Sequence, residues 1–254
     1  MAEVYDRCLG PSVFHPFAVD VARRCAGLAP RRLLEVAAGS GIVTRELVGA
    51  VPGAALTATD LNPAMVRWGA GAVPQARWAV ADAQRLPFRD GEFDLVACQF
   101  GVMFFPDRPA AFAQARRVLA PGGRLVFTTW DTLESHGFEV PVMEGVRRAF
   151  PDDPPLFLVH VPHGYHDLDR VVADVRAGGF DAVEVTAVTV TGHARSAADI
   201  AAGYCTGTPL RAGIASRGDL AATTALVEES VVARLGTGPI AAEMTAHVVE
   251  ARRA

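Results

Sequence analysis

Between residues 30 and 130, short apolar runs alternate with amphipathic stretches, and glycine, proline or asparagine punctuates almost every boundary. Leu33-Leu34-Glu35-Val36-Ala37 runs into Gly39-Ser40-Gly41, the pattern of a strand followed by a tight turn. Residues 42–51 place Val43, Leu47 and Val48 on one face and stop at Pro52-Gly53, which predicts a helix. A second strand is expected over 55–60. Asn62 then caps a helix whose first residue is Pro63, where a missing N–H loses nothing. Further strands are expected over 77–82, 93–98 and 124–130, with an amphipathic helix over 109–119 closed by Pro121-Gly122-Gly123. Strands alternating with helices imply a parallel sheet covered on both faces, and near-continuous apolar strands agree with burial on both sides.

The rhythm changes after Trp130. Residues 131–166 are irregular and rich in proline and histidine, with one helix expected over 140–150. Asp167 reads as the cap of a helix reaching Ala177, and residues 183–190 as a strand. A helical stretch over 196–235 separates it from a last strand near 245–251, and the two late strands suit an antiparallel edge. The expected organisation is a single domain over 1–254. It comprises a helical leader or lid over 1–29, a core over 30–130, and insertions at 131–166 and 194–236 that form a cap carrying specificity.

Composition narrows the function classes. The chain has 254 residues, half of them hydrophobic, enough for a substantial core. Its net charge of −4 disfavours a nucleic-acid partner. The early cluster Arg23, Arg24, Arg31 and Arg32 reads as a solvated face. Every basic residue is arginine, so lysine chemistry is unavailable. Cys8, Cys25, Cys98 and Cys205 share no close spacing, so neither a disulfide framework nor a metal site is expected. The first ten residues lack the apolar core of a signal peptide, and no run reaches membrane-spanning length. A soluble, cytoplasmic protein is expected; its oligomeric state is not legible.

The chemistry gathers at the ends of the early strands. Gly39 and Gly41 allow close backbone approach to a ligand, ahead of a helix N-terminus that favours anionic groups. Thr44 stands where a dinucleotide-binding pattern requires glycine or alanine. Asp60 ends the second strand, where a carboxylate accepts from vicinal ribose hydroxyls, and Asp82 ends the third, where it suits an adenine amine.

Glu35–Gly41, Thr59-Asp60-Leu61-Asn62, Ala81-Asp82-Ala83, Phe93-Asp94-Leu95-Val96 and Arg117–Arg124 occur in order at typical intervals. Together they resemble the class I S-adenosylmethionine-dependent methyltransferases, in the branch like the ubiquinone/menaquinone-biosynthesis C-methyltransferases. The resemblance covers roughly residues 30–130. It implies a Rossmann-like, doubly wound α/β fold with a mostly parallel seven-stranded sheet, an antiparallel edge and helical insertions. It also implies S-adenosyl-L-methionine as cofactor, leaving S-adenosyl-L-homocysteine as product. Carried over by position, Glu35, Ala37, Gly39, Ser40 and Gly41 line the methionine part, and Asp60 holds the ribose. Leu61 and Met65 lie by the adenine, Asp82 and Ala83 read its amine, and Gln99 and Phe100 stand near the reacting methyl. Ala37 departs from the family pattern, which has glycine there.

Acceptor chemistry is less legible. The histidines 15, 136, 160, 163 and 166 are candidate bases, and among them the cluster 163–167 singles out His163, with Tyr165, as catalytic candidates. Tyr5, Phe14, Met103 and Phe104 are candidate acceptor-pocket residues, with core packing an equal account of some of them. Cys98-Gln99-Phe100-Gly101 replaces the Asp/Asn-Pro-Pro-Tyr/Phe associated with amine methylation of DNA bases or glutamine. The expected activity is methyl transfer to an O or C atom of a small metabolite. The rivals are a nicotinamide-dependent oxidoreductase and a non-catalytic cofactor binder of the same fold.

Overall fold

The computed structural model describes residues 2–254; Met1, the first residue of the expected leader, lies outside them. Seven strands form one sheet: β1 Arg32–Val36, β2 Ala55–Asp60, β3 Arg77–Val80, β4 Phe93–Gln99, β5 Leu119–Trp130, β6 Ala182–Ala194 and β7 Ile240–Arg252. Their order is β3-β2-β1-β4-β5-β7-β6, with β1 to β5 parallel and β7 antiparallel to β5. The expected mostly parallel sheet with an antiparallel edge is therefore present. The order reverses between β1 and β4, the position at which open α/β sheets bind ligands beyond their carboxyl ends.

Local signals placed most boundaries. Asn62 Oδ1 accepts from Ala64 N ahead of the helix Pro63–Ala72, and Asp167 accepts from Asp169 N and Arg170 N ahead of Leu168–Ala177. Three expectations need correction. The third strand stops at Val80 rather than Asp82, because Asp82 Oδ1 turns back to accept from Gln84 N at 2.8 Å. Pro121-Gly122-Gly123 does not close the helix, which ends at Val118; it lies inside β5 as an irregularity. There the register jumps, Phe93 pairing with Leu119 but Leu95 with Arg124. The two late strands are also longer than expected, at 13 residues each.

The chain divides into two compact units. The core unit comprises Ala18–Trp130, Tyr165–Val188 and Ala246–Ala254. Its helices include Ile42–Ala50, Pro63–Ala72, Arg108–Val118 and Leu168–Ala177. Arg253 Nη1 donates to the carbonyls of Arg116, Arg117 and Leu119, satisfying the end of Arg108–Val118. The early arginines form ordinary ion pairs, Arg23 and Arg24 with Asp20 and Arg32 with Asp94.

The insertion unit comprises residues up to Phe17, Asp131–Gly164 and Thr189–Thr245. The expected leader is thus divided between the units. A π-helical segment, Tyr5–Phe14, packs on the helix Ala197–Gly207, where Gly203 and Gly207 leave room for Leu9 and Tyr5. The helix Leu220–Leu235 lies against Glu139–Ala149 at Gly145, where a Cβ would come within 2.5 Å of the Val227 backbone. Among the described residues no helix is long and apolar enough to cross a membrane.

Candidate functional site

Register brings the candidate residues together. Val36 pairs with Thr59, Thr59 with Ala79, and Glu35 with Ala97, so the loops after β1, β2 and β4 leave one edge of the sheet side by side. Asp60 joins two of them: Oδ2 accepts from Gly39 N at 2.9 Å and Oδ1 from Asn62 N at 2.8 Å. Ala38 N donates to Thr59 O, and Thr59 Oγ1 to Glu35 O, so the loop after β1 is anchored at three points. Gly41 then caps Ile42–Ala50 at φ +89°, with Trp78 and Val73 packed where a side chain would stand.

Ala37, the departure from glycine, sits at φ +55°, a left-handed conformation that strains a residue with a Cβ. Its methyl group has a matched space. A Cβ on Gly101 would stand 2.6 Å from Ala37 Cβ and 2.7 Å from Cys98 Sγ. Phe100, also left-handed at +53°, stacks on Trp130 at 3.6 Å between centroids and 6° between planes. Glu35 is buried at 1 % exposure, and its Oε2 accepts no hydrogen bond. Burial pushes its carboxyl up to about 8; the Thr44 hydroxyl opposes that shift and Asp60 adds to it. A neutral carboxyl thus heads the loop.

Asp82 is half-buried at the turn after β3, and Leu61 is 67 % exposed beside Asp60. Met65 and Gln99 are half-buried, Ala83 and Ser40 buried. A groove of about 760 Å³ lies at the opposite, amino edge of the strands, lined by Arg31, Arg32, Asp94, Gly122, Arg124 and Arg252. None of the candidate residues borders it.

A model of a methyltransferase domain matches residues 34–127, the stretch that carries these loops. A ubiquinone/menaquinone biosynthesis C-methyltransferase of Paracoccus denitrificans is 33 % identical over 175 residues, spanning 62 % of this chain and 70 % of that one. The chain belongs to the class I S-adenosylmethionine-dependent methyltransferases. A malonyl-[acyl-carrier protein] O-methyltransferase of Geobacter sulfurreducens is 36 % identical, over 63 % of this chain and 59 % of its own. Among solved structures, the YcgJ protein of Bacillus subtilis superposes with a TM-score of 0.59 at 19 % identity, covering 93 % of this chain and 98 % of that one. A phosphoethanolamine N-methyltransferase of Haemonchus contortus gives 0.62 at 16 % identity, over 99 % and 56 %. These structural likenesses speak for the fold. As in the rest of its class, this methyltransferase takes its methyl group from S-adenosylmethionine, which sets aside the nicotinamide reading.

The acceptor-side candidates divide between the units. In the core unit, Tyr165 is fully buried and its hydroxyl donates to Asp174 Oδ2 at 2.9 Å. The Arg108 guanidinium covers its ring at 4.2 Å while donating to the carbonyls of Val102 and Met103. Burial and Asp174 both push the phenol up. Met103 is buried and packs in the core, and Phe104 is half exposed. In the insertion unit, Tyr5 stacks on Phe14 at 4.8 Å. There too, His163 and His136 flank a carboxylate that sequence reasoning missed, Glu139. Burial holds His136 down to about 4. Glu139 raises His163 despite burial, and the two histidines lower Glu139 despite the same burial. His136 and Glu139 stand three residues apart, but His163 joins them from another segment, which no spacing signal marks.

Two predictions follow from these geometries. Gly101→Ala is expected to lower stability by about 1–3 kcal/mol, and adding Ala37→Gly to recover part of it; urea unfolding of both variants and their double measures the coupling. Between pH 4.5 and 6.5 the raised Glu35, which loses its contribution as pH rises toward its folded value of about 8, offsets His136, so stability should form a plateau there and fall on either side. The raised His163 contributes fully below its unfolded value of 6.5 and loses that contribution as pH rises through its folded value. Going down in pH, His136 must charge on unfolding, and Glu139 loses its contribution below its unfolded value of 4.5. Melting temperature against pH should therefore fall on both sides, with a shallower acid limb in His136→Asn.

Proposed function

We propose that this methyltransferase acts on an oxygen or carbon atom of a small, partly apolar metabolite in the reducing cytosol. The observation that carries the reading is the loop after β1, tied to Asp60 and headed by the buried carboxyl of Glu35. These residues fit S-adenosylmethionine: the unsatisfied Glu35 Oε2 offers a latent negative charge to a cationic ligand, and Gly39 and Gly41 leave the backbone approachable. In this reading Ala37, Gly39, Ser40 and Gly41 line the methionine part and Asp60 holds the ribose hydroxyls. Leu61 and Met65 pack by the adenine, Asp82 and Ala83 read its amine, and Gln99 and Phe100 border the reacting end. The bound cofactor supplies an electrophilic methyl group with its own leaving group, so the chain's task is orientation and exclusion of water.

The stacked Phe100 and Trp130 favour a flat or apolar acceptor. Relatives named for ubiquinone and menaquinone biosynthesis support a quinone-like ring and carbon methylation as one instance, and the malonyl relative supports oxygen methylation as the other. The insertion unit, with Tyr5 and Phe14, selects the acceptor. The four free cysteines suit a reducing compartment.

Calorimetric titration with S-adenosylhomocysteine tests the cofactor assignment. Asp60→Ala should weaken binding by at least about ten-fold, and near-normal affinity would remove that role from Asp60. With its carboxyl raised to about 8, Glu35 should release a proton as ligand binds near pH 7. The apparent enthalpy should then vary with buffer ionisation enthalpy in the wild type and not in Glu35→Gln.

A further inference from the structure

Methyl transfer at the carboxyl edge leaves the groove at the amino edge of the core unit without a role. Its volume of about 760 Å³ lies within the range of small-molecule sites. Small residues such as Gly27, Ala29 and Gly122 form much of its wall, and Arg31, Arg32, Arg124 and Arg252 supply its charge. Asp94 is the one carboxylate among the lining residues, and it is already committed. Its Oδ2 accepts from the amides of Arg31 at 3.0 Å and Arg32 at 2.9 Å, and its Oδ1 accepts from Arg32 Nη2 at 3.1 Å.

Arg31, Arg124 and Arg252 enter no ion pair among the described residues. Arg124 and Arg252 stand directly opposite each other where β5 pairs with β7. Like charges so placed repel across a sheet, and an anion between them would relieve the repulsion. Four arginines against one carboxylate leave the groove at +3, in a chain whose net charge is −4. Beside Arg31, Ala29 is held left-handed at φ +46°, and strain of that kind gathers at binding sites. A phosphate group offers three acceptor oxygens that match guanidinium forks, and a diphosphate places two such groups side by side against three free arginines. A recess of this volume suits a small molecule better than a flat protein surface.

We propose that this groove is a second ligand site, which takes a small molecule carrying a diphosphate group between Arg31, Arg124 and Arg252. Asp94 and Arg32 act as positioning residues that hold the loop bearing Arg31. The groove and Asp60 lie on opposite edges of the sheet, so the site fills independently of the cofactor. The sequence alone marks Arg31 and Arg32 as part of a solvated face, because Arg124 and Arg252 join them only through the sheet.

The test is calorimetric titration of the full chain with inorganic pyrophosphate, with uridine diphosphate and with sulfate as a plain dianion, each with and without saturating S-adenosylhomocysteine. Pyrophosphate or uridine diphosphate should bind at least about ten-fold more tightly than sulfate. The tighter of the two tells whether the group is taken free or as an ester. Arg124→Gln and Arg252→Gln should each weaken that binding by at least about ten-fold and leave S-adenosylhomocysteine affinity unchanged. Arg147→Gln, at an exposed arginine outside the groove, should leave it unaltered. No binding of either diphosphate, equal affinity for sulfate, full affinity in either groove variant, an equal loss in Arg147→Gln, or displacement by S-adenosylhomocysteine would overturn the proposal. So would tighter binding of a poly-glutamate peptide, which would give the groove to an acidic protein segment. In each of those cases the methyltransferase reading stands. Failure of S-adenosylhomocysteine to bind would overturn that reading and leave this one intact.

Discussion

The carboxylate of Asp60 is the fixed point on which the carboxyl edge of the sheet depends. β2 delivers it in register with β1 and β3, and its two oxygens are shared between Gly39 N in one loop and Asn62 N in the next. Charge-assisted bonds from backbone amides are stronger than neutral ones. One side chain therefore sets two loops at once, and the left-handed turn at Ala37 is held by anchors on either side of the strained residue. The strain at Ala37 is local, and the space for its methyl group is provided by the missing side chain of Gly101. The departure from glycine at position 37 is thus an exchange of volume across the loop, and the loop's backbone path is kept.

Most of the core unit was legible because its signals are local. Short, near-continuous apolar runs placed β1, β2 and β4, and single capping residues placed Pro63–Ala72 and Leu168–Ala177 to within a residue or so. Misreadings occurred where a local signal had a second meaning. Pro121-Gly122-Gly123 has the composition of a terminator, yet it is an irregularity within β5, because Gly123 packs under the backbone of Asp94 and Ala120 where no side chain fits. β6 and β7 were read short because β6 alternates half-buried valines with exposed residues and carries no continuous apolar run.

What the sequence hid was long-range. Gly203 and Gly207 look like ordinary helix-weakening glycines until the π-helical segment is seen to press Leu9 and Tyr5 against them. His163 and Tyr165 stand two residues apart, and their adjacency suggested a joint role. The structure gives them to different units: Tyr165 is locked on Asp174 under Arg108, and His163 is bound to Glu139. A short interval along an irregular segment says little about which way two side chains face.

Two buried glutamates illustrate how environment alone sets chemistry. Glu35 has the Thr44 hydroxyl and the Asp60 charge near it but no cation, and burial pushes its carboxyl up to about 8. Glu139 is as deeply buried, but the His163 imidazolium lowers it and keeps it charged. The same residue type thus occurs neutral in the core unit and ionised in the insertion unit, because one lacks a cationic partner and the other has one. The consequence for ligands is opposite in sign. A neutral carboxyl gains most from an incoming positive charge, which draws its proton off. A carboxylate already neutralised by histidine gains little from a second cation and most from a neutral hydrogen-bond donor.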